Sequence, residues 1–341
     1  MRTDLFDYEL PPEQIAQSPL IPREQAKLLV MNRANGTWQD CHIFDLPNLL
    51  QPGDLLVFNN IKVFKARLMA THAGTSGSKR HEVFLLHPNG TVWSALVRGT
   101  KSIHINDTLT FADGSEATLL EKEDDGVVRL DFHHTATEVF DLCERYGQVP
   151  TPPYVQASTE NDSAYQTVYA KEVGSVAAPT AGFHFTPALL DSLKEKGISQ
   201  AFVTLHVGLG TFRPMQSDEL EEHKMHSEWA SVSAETIAQI NATRAAGHRV
   251  IAVGTTATRA LESAALDGTL KPFEGHTNIF ITPGHTFRAI DGLLTNFHLP
   301  KSTLLVLVSS LIEREQLLRA YKHAIKEHYR FYSFGDAMLI V

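Results

Sequence analysis

The chain has 341 residues, of which 43% are hydrophobic and 20% are charged, a composition typical of a globular protein with one large or two ordinary domains. Its net charge of −9 argues against a protein that coats nucleic acid with its whole surface, so any RNA contact must use a local basic patch. No apolar run is long enough for a membrane span, and the polar, acidic start is unlike a secretory signal. Cys41 and Cys143 are the only cysteines, and neither belongs to a C-x-x-C pair. This usage predicts a reducing, cytoplasmic compartment and excludes a zinc site built from adjacent thiolates.

The first sixty residues predict two strands and a short helix. Residues 27–32 (KLLVMN) and 54–58 (DLLVF) are short apolar runs typical of buried strands, and residues 44–50 predict a helix between them. The second strand leads into Asn59-Asn60. Two asparagines at a strand end either form a turn or bind a polar ligand through their amides, and the sequence leaves both interpretations open.

From about residue 65 the pattern changes to short strands separated by Gly, Asn or Asp. Asn89-Gly90 and Asp113-Gly114 are strong hairpin signals. Residues 71–80 (THAGTSGSKR) predict an exposed, mobile hairpin loop. Strands at this spacing predict a small barrel. The six predicted strands are residues 67–70, 82–87, 92–98, 108–112, 117–123 and 127–132.

The middle of the chain contains two loops around one helix and one strand. Thr186 as N-cap, Pro187 in the first turn and Gly197 after the last turn predict the helix. Residues 201–205 predict a strand that runs into the loop 206–214 (HVGLGTFRP), whose glycines allow backbone amides to approach a ligand. Because Gly-x-Gly alone is a weak motif, an ordinary corner with incidental polar residues is the competing interpretation.

After residue 153, strands alternate with helices, as in an α/β layer. A strand over residues 248–253 leads into Gly254-Thr255-Thr256 and a helix over residues 259–266. This layout suits a phosphate or a carboxylate because amides, hydroxyls and a positive helix end converge, and a simple N-cap is the alternative. The other predicted elements are a helix over residues 233–246, a strand over 278–282, helices over 304–312 and 313–329, and a strand over 337–341.

We therefore predict a three-layer α/β domain with a mostly parallel or mixed sheet from residues 1–64 and 151–341. A small all-β barrel domain, residues 65–150, is inserted into it and ends in a helix opened by the capping box Thr135-x-x-Glu138. If the sheet is largely parallel, the loops after its strands surround a crevice at its carboxyl edge. The small residues, amides, hydroxyls and aromatic rings of these loops suit a nucleoside ligand.

No metal site is predicted. His223 and His226 are three positions apart, whereas the zincin motif His-Glu-x-x-His places its histidines four apart. The other histidines near the predicted loops stand alone beside Gly, Phe or Leu. Neither a Gly-x-Ser-x-Gly nucleophile elbow nor a Walker motif occurs.

Long segments distributed over most of the chain resemble the S-adenosylmethionine:tRNA ribosyltransferase-isomerase family of queuosine biosynthesis. They are DLFDYELPPEQIAQ, DLLVFNNIKVFKARL, GSVAAPTAGFHFT, LHVGLGTFRP, HKMHSEW, VGTTATRALES, TNIFITPGHTFRAIDGLLTNFHLPKSTL and FYSFGDAMLIV, in the order of the family. Residues 71–80 carry little of the match. Phe183 stands where leucine is expected in many relatives, a change that should leave the chemistry unaltered.

The resemblance implies that the substrate is tRNA with a GUN anticodon that bears 7-aminomethyl-7-deazaguanine at the wobble position. S-adenosylmethionine is implied to donate its ribosyl moiety as a co-substrate, which gives epoxyqueuosine-tRNA, adenine and methionine. The family is also implied to be cytoplasmic and monomeric, to act without a metal or another cofactor, and to need no membrane. Its fold is an α/β domain joined to an inserted β-barrel domain.

The chemistry implied by the resemblance needs proton transfer, because the sulfonium acidifies the adjacent 5′ carbon. We expect His184 or His206 to transfer this proton, with His226 and His298 as further candidates. A histidine beside phenylalanine can instead be a hydrogen-bonded core residue, and this interpretation stays open.

Sixteen residues of the matching loops are expected to bind substrate. Gly254, Thr255 and Thr256 would hold the methionine carboxylate or a ribose. The full set is Asn59, Asn60, Thr180, Gly182, Phe183, Gly208, Gly210, Thr211, Phe212, Arg213, Gly254, Thr255, Thr256, Arg259, Asn296 and Phe297.

The aromatic and basic members of this set have their own expected roles. Phe183, Phe212 or Phe297 would stack on a base, although aromatic side chains more often belong to the core. Arg213 and Arg259 would contact a carboxylate or an RNA phosphate.

Basic residues near the start of the predicted barrel are candidates for RNA phosphate contact, with an ordinary solvated face as the alternative. They are Lys62, Lys65, Arg67, Lys79, Arg80, Arg98 and Lys101. Two other functions compete with the ribosyl transfer. An S-adenosylmethionine-dependent RNA methyltransferase would yield methylated RNA without free adenine, and a non-enzymatic RNA-binding protein would bind RNA without consuming the donor.

Overall fold

The computed structural model describes residues 1–74, 77–123, 126–150, 154–155, 162–208 and 215–341. The chain forms two compact units: an α/β unit of Met1–Ile61, Pro152–Glu172 and Ala178–Val341, and a barrel unit of Lys62–Thr151 and Val173–Ala177. The predicted fold class, an α/β layer with an inserted all-β barrel, is confirmed. Over the described residues, no helix is long and apolar enough to cross a membrane.

The described part of the chain contains seventeen strands. In chain order they are β1 (Lys27–Met31), β2 (Trp38–His42), β3 (Leu55–Asn59), β4 (Ile61–Val63), β5 (Arg67–Gly74), β6 (Gly77–Asn89), β7 (Val92–Val97), β8 (Thr108–Thr110), β9 (Glu116–Lys122), β10 (Val127–Asp131), β11 (Glu172–Ser175), β12 (Ser199–Leu205), β13 (Glu228–Val232), β14 (Val250–Val253), β15 (Phe273–Thr277), β16 (Gly292–Asn296) and β17 (Ala337–Ile340).

The same residues contain seven α-helices and several short 3₁₀ turns. The helices are α1 (Leu46–Leu49), α2 (Ala136–Tyr146), α3 (Pro187–Glu195), α4 (Ala234–Ala245), α5 (Thr255–Ser263), α6 (Thr303–Leu311) and α7 (Arg314–Lys326). Hydroxyl caps start four of them, as local sequence signals predict. Thr135, Thr186, Ser233 and Ser302 each accept a hydrogen bond from a backbone N–H of the first turn.

The α/β unit is built on one mixed sheet of nine strands, in the order β15-β13-β12-β3-β14-β16-β17-β1-β2. The strands β12, β3, β14 and β16 are mutually parallel neighbours. All residues of β3 and β14 are buried, which explains the apolar runs LLVF in β3 and VIAV in β14. Because parallel strands end at the same edge, the residues that follow these four strands lie near one another.

One face of this sheet is covered by α1 and α3. Leu46 of α1 and Leu189 and Leu193 of α3 share a buried cluster with Leu56 and Phe58 of β3. The helix α5 packs against β12, β13 and β14. Burial of each such leucine stabilises the fold by about 1.5–3 kcal/mol.

The barrel unit is a closed antiparallel barrel in the order β10-β7-β6-β5-β8-β9. Its interior contains Trp93, Phe64 and Phe132, all at most 5% exposed, and α2 contributes Val139 and Leu142 to the same core. The six strands predicted from the hairpin signals are all present. Alternation of buried and half-buried residues, as in β10, places one face of each strand in this core.

The structure corrects two predictions about strand and loop positions. The predicted loop 71–80 is mostly strand, because the pairs Thr71–Arg80 and His72–Lys79 continue the ladder between β5 and β6. The predicted strand at residues 278–282 is wrong. The preceding segment, β15, forms the strand instead, because it pairs with β13, which the sequence did not predict.

Two further boundaries differ at the edge of the sheet. The helix α5 begins at Thr255 rather than at Arg259. Asn296, which was expected in a loop, is the last residue of the buried strand β16. Both differences bring polar side chains from the predicted loops into regular elements, where their orientation is fixed.

Candidate active site in the α/β unit

A cleft opens at the carboxyl edge of the parallel strands. Its walls are residues 178–181, residues 254–256 at the start of α5, residues 295–299 after β16, and Tyr332 with Ser333. Tyr154, Val207, Ser302 and Leu304 complete the lining. Concave sites at this position are the usual ligand sites of α/β sheets.

The start of α5 supplies hydrogen-bond donors to this cleft. Gly254 is the N-cap and has a φ of +92°, and it makes no side-chain cap hydrogen bond. A glycine without a capping side chain leaves first-turn N–H groups available at the positive end of the helix. Thr256 is 8% exposed, and within the described residues its Oγ1 has no hydrogen-bond partner. This wall therefore suits an anionic or strongly accepting group.

The facing wall is a 3₁₀ turn, Thr180–His184, held by Asn296. The Thr180 hydroxyl donates to Asn296 Oδ1 at 2.9 Å. Asn296 Nδ2 lies 3.2 Å from His184 Nε2 and 3.3 Å from the backbone oxygen of Asp336. Thr180 and Asn296 line the cleft, and His184 lies behind them.

His184 is 4% exposed. Burial, together with the nearby charges of Arg23 and Arg330, lowers its pKa to about 3. A histidine with this pKa is neutral near pH 7. His184 therefore contacts the wall of the cleft as a neutral, hydrogen-bonded residue of the interior.

His298 is the one of the four candidate histidines that lines the cleft among the described residues. Its Nε2 lies 2.9 Å from Thr295 Oγ1, and burial lowers its pKa to about 3. Its backbone N–H donates to Tyr321 Oη at 3.0 Å, and its backbone oxygen accepts from Tyr8 Oη. The imidazole is thus neutral, oriented and next to the space where a ligand would bind.

Comparisons with known proteins identify the family. The family model described as "Queuosine biosynthesis protein" matches residues 3–340. The chain belongs to this family. It is 49% identical to the S-adenosylmethionine:tRNA ribosyltransferase-isomerase of Moorella thermoacetica, over 100% of both chains. It is 50% identical to the protein of that name from Acaryochloris marina, over 98% of this chain and 92% of the relative.

A crystal structure from Thermotoga maritima supports the same assignment. That protein is an S-adenosylmethionine tRNA ribosyltransferase, and it is 34% identical to this chain, with a TM-score of 0.58. The match covers 99% of this chain and 100% of the other. The resemblance found in the sequence is therefore confirmed for the queuosine biosynthesis family.

The other two candidate histidines of this family member lie away from the cleft lining. His206 directly precedes the lining residue Val207, its ring packs on Trp229 at 5.2 Å between centroids, and its backbone N–H bonds to the Trp229 oxygen. His226 is exposed.

The asparagine pair at the end of β3 makes hydrogen bonds within the protein. Asn59 is fully buried, and its amide donates to the Leu205 oxygen and accepts from the Leu205 N–H, both at 3.0 Å. Asn60 Oδ1 accepts the Thr204 hydroxyl at 2.8 Å. The interpretation of Asn59 as a ligand-binding amide is wrong, because its polar atoms are bonded to the end of β12.

Two aromatic candidates belong to the core. Phe183 is 3% exposed and packs against Tyr165 and Phe334. Phe297 is fully buried and packs against Tyr321 at 5.1 Å and other rings. Phe183, which is enclosed in this way and does not line the cleft, cannot stack on a base there, so this expectation is wrong for Phe183. Phe297 lines the cleft although it is buried, so stacking on a base stays a prediction for this residue.

An aromatic corner of the cleft was missed by the sequence reasoning. Tyr154 and Tyr332 lie 4.9 Å apart between ring centroids, and Tyr154 Oη lies 2.6 Å from Ser333 Oγ. Tyr332 has a φ of +71°, a left-handed conformation that a bulky residue rarely adopts. The segment FYSFG carried part of the family resemblance, but no local pattern assigned its tyrosine to the site.

Gly182 and Arg259 are interior residues rather than surface contacts. A Cβ at Gly182 would lie 1.9 Å from Tyr169 Oη, so packing requires the glycine. Arg259 is 3% exposed and pairs with Glu228, which also accepts from the Gly208 N–H at 2.9 Å. A buried arginine cannot contact an RNA phosphate at the surface, so that expectation is wrong. Gly210, Thr211, Phe212 and Arg213 lie outside the described residues.

The candidate RNA contacts of the barrel unit fall into two groups. Lys65 pairs with Glu144 at 3.3 Å and Arg67 with Glu82 at 3.8 Å. The other five candidates are exposed; they are Lys62, Lys79, Arg80, Arg98 and Lys101.

Over the described ranges, no group of three or more His, Cys, Asp or Glu side chains could hold a metal ion.

Proposed function

We propose that the chain transfers and isomerises the ribosyl moiety of S-adenosylmethionine onto 7-aminomethyl-7-deazaguanine in tRNA. The products are epoxyqueuosine-tRNA, adenine and methionine. The observation that carries this proposal is the full-length match, at about half identity, to relatives named S-adenosylmethionine:tRNA ribosyltransferase-isomerase.

The cleft of the α/β unit is our proposed binding site for S-adenosylmethionine. It combines hydrogen-bond donors at the start of α5, a polar wall at Thr180 and Asn296, and the rings of Tyr154 and Tyr332. A sulfonium nucleoside needs these three kinds of group for its carboxylate, its polar atoms and its adenine ring or cationic sulfur.

His298 is the proposed proton-transfer residue. It lines the cleft, and its Nε2 lies 2.9 Å from Thr295 Oγ1, which orients the ring. A neutral imidazole can accept a proton from the 5′ carbon that the sulfonium acidifies. His184 fits this role less well because it lies behind the wall, and His206 because its ring packs on Trp229.

The proposal extends to the partner and the setting. The tRNA substrate has a GUN anticodon, and the protein acts on it as a monomer in the cytoplasm. The RNA phosphates contact exposed cations of the barrel unit, which are Lys62, Lys79, Arg80, Arg98 and Lys101. We expect the reaction to need no metal or other cofactor, because the sulfonium acidifies the adjacent carbon and leaves as the neutral thioether of methionine, while adenine is the second group released.

Product analysis tests the reaction. The protein is incubated with S-adenosylmethionine and an anticodon stem-loop that carries 7-aminomethyl-7-deazaguanine, and adenine and RNA mass are followed. Adenine release matched by a mass gain of one epoxycyclopentanediol group supports the proposal. A methyl-sized gain without adenine supports an RNA methyltransferase instead, and RNA binding without any reaction supports a binding protein. A stem-loop with unmodified guanine is the control.

A further inference from the structure

The hydrogen-bond direction along Asp336, Asn296, His184 and Thr180 can be derived from their contacts. The Asn296 atom 3.3 Å from the Asp336 backbone oxygen must be Nδ2, because a backbone oxygen only accepts. If the Asn296 amide were reversed, its Oδ1 would face the Asp336 backbone oxygen, and neither oxygen could donate a proton. The second N–H of Nδ2 then donates to His184 Nε2 at 3.2 Å, and this bond fixes a neutral imidazole that carries its proton on Nδ1.

This direction determines what Thr180 offers to a ligand. Asn296 Oδ1 cannot donate, so the Thr180 hydroxyl donates its only proton to it at 2.9 Å. Thr180 lines the cleft and is half-buried. Its oxygen therefore retains only lone pairs for the cleft, and it can accept a hydrogen bond but cannot donate one.

The donors at the start of α5 lie next to this acceptor. A Cβ built on Gly254 would lie 3.5 Å from Ala181 Cβ and 3.6 Å from Thr256 Oγ1, so the residue after Thr180 lies next to the N-cap of α5. The Thr256 hydroxyl is more than nine-tenths buried, lines the cleft, and has no partner within the part of the chain that the structure describes. An acceptor and a set of donors thus border one short stretch of the cleft.

An α-amino acid carries an ammonium group and a carboxylate on the same carbon, which matches an acceptor beside donors. We propose that Thr180 and the start of α5 bind the amino-acid end of S-adenosylmethionine. Thr180 Oγ1 accepts from the α-ammonium group, and the α5 amides with the Thr256 hydroxyl donate to the α-carboxylate. Asn296 and His184 are positioning residues that act through Thr180. This subsite rests on the proposed function, since it assumes that the sulfonium nucleoside binds in the cleft.

Calorimetric binding of three probes tests the subsite: S-adenosylmethionine, L-methionine, and 5′-methylthioadenosine, which has the nucleoside without the amino acid. Thr180→Val keeps the shape but removes the acceptor. We expect it to weaken binding of the first two probes by about tenfold or more, and of the third by less than about twofold. Thr180→Ser should retain wild-type affinity, and Thr269→Val in an exposed turn is the matched control. Equal loss for all three probes, or an unchanged methionine affinity, overturns the subsite.

The role of His184 is tested by two substitutions that differ in hydrogen bonding. His184→Gln supplies an amide oxygen that can accept from Asn296, and His184→Leu does not. We expect the leucine variant to raise the KM for S-adenosylmethionine by about tenfold and the glutamine variant to stay within about twofold of wild type, with similar kcat for the two. If His184 transfers the proton itself, both variants lose kcat, and the positioning role is overturned. Thermal melting checks that both fold.

The outcomes separate the subsite from the proposed function. If the wild-type protein releases adenine but Thr180→Val leaves the methionine affinity unchanged, the subsite is overturned and the ribosyl transfer is still supported. Methionine binding that depends on Thr180, without any adenine release, overturns the transfer and leaves an amino-acid subsite.

Discussion

Among the described residues of the barrel unit the Arg–Glu ion pairs lie at the surface, whereas the α/β unit has an Arg–Glu pair in its interior. Arg129–Glu123 and Arg67–Glu82 keep about a third of each side chain exposed, around a core that includes Trp93. In the α/β unit, Arg259 and Glu228 are both about 4% exposed, and His184 is equally buried. A charged group in the interior is costly unless it is paired and bonded.

The two units differ in what their polar side chains do. The barrel is stabilised by apolar closure, and its surface pairs contribute about 0–1 kcal/mol each. The α/β unit retains buried polar groups at the carboxyl edge of its parallel strands, where they orient Thr180, Asn296 and His298 around the cleft. This contrast predicts that substitutions in the barrel core act on stability and that cleft substitutions act on substrate binding and turnover.

The largest expected effect is the loss of the central aromatic residue of the barrel. Trp93 is fully buried against Phe64, Phe132 and Phe140. Trp93→Ala should lower the free energy of unfolding of the barrel by about 3–5 kcal/mol, because it leaves a cavity in a closed core. Urea unfolding measures the change. Trp38→Ala, at a half-buried edge strand, should cost less, and equal costs would contradict the assignment.

The next effect concerns proton transfer. His298→Ala should lower turnover by about a hundredfold or more, because it removes the imidazole that lines the cleft. Adenine release at saturating substrates measures it, with the melting temperature as a check on folding. His226→Ala is the matched control, since His226 is exposed. A folded His298→Ala variant with normal turnover would remove His298 from the mechanism.

Buried His184 should make stability depend on pH. Its pKa is about 3 in the fold against an ordinary 6.5, so its neutral form contributes stability that is complete above pH 6.5 and is lost as the pH falls toward 3. Between pH 7 and pH 5 the wild-type protein should lose about 2 kcal/mol more than His184→Gln. Denaturant unfolding at both pH values measures this. His134→Gln, which changes an exposed histidine, should follow the wild type. Parallel curves for His184→Gln would contradict the neutral, buried assignment.

The smallest effect concerns the exposed cations of the barrel. Charge reversal of Lys79 and Arg80 should weaken binding of the anticodon stem-loop, and it should reduce the salt dependence of the affinity by about two charge equivalents. Fluorescence anisotropy over a range of salt concentrations measures both. The same reversal at Lys322 and Lys326, which are exposed on α7, controls for net charge. An affinity that responds equally to both double reversals would assign the effect to net charge alone.

Local signals predicted much of the fold. The hairpin dipeptides Asn89-Gly90 and Asp113-Gly114 located the barrel, and the caps Thr135 and Thr186 marked the starts of α2 and α3. The misplaced strand at residues 278–282 was decided by non-local pairing of β15 with β13. Local patterns do not contain such pairings.

The site was predictable only in part. Parallel strand order and the motif Gly254-Thr255-Thr256 correctly indicated a crevice at the sheet edge. The bond from Thr180 to Asn296 joins residues 116 positions apart, so no spacing rule could have revealed it. The burial of Phe183 and Phe297 likewise depends on packing partners elsewhere in the chain.

The most direct test is a crystal structure of the protein with S-adenosylmethionine. We expect density in the cleft, with the carboxylate within hydrogen-bond distance of the α5 amides and Thr256, the ammonium group within hydrogen-bond distance of Thr180 Oγ1, and the nucleoside near Tyr332. Density outside the cleft, or a ligand whose amino-acid end points away from α5, would contradict it.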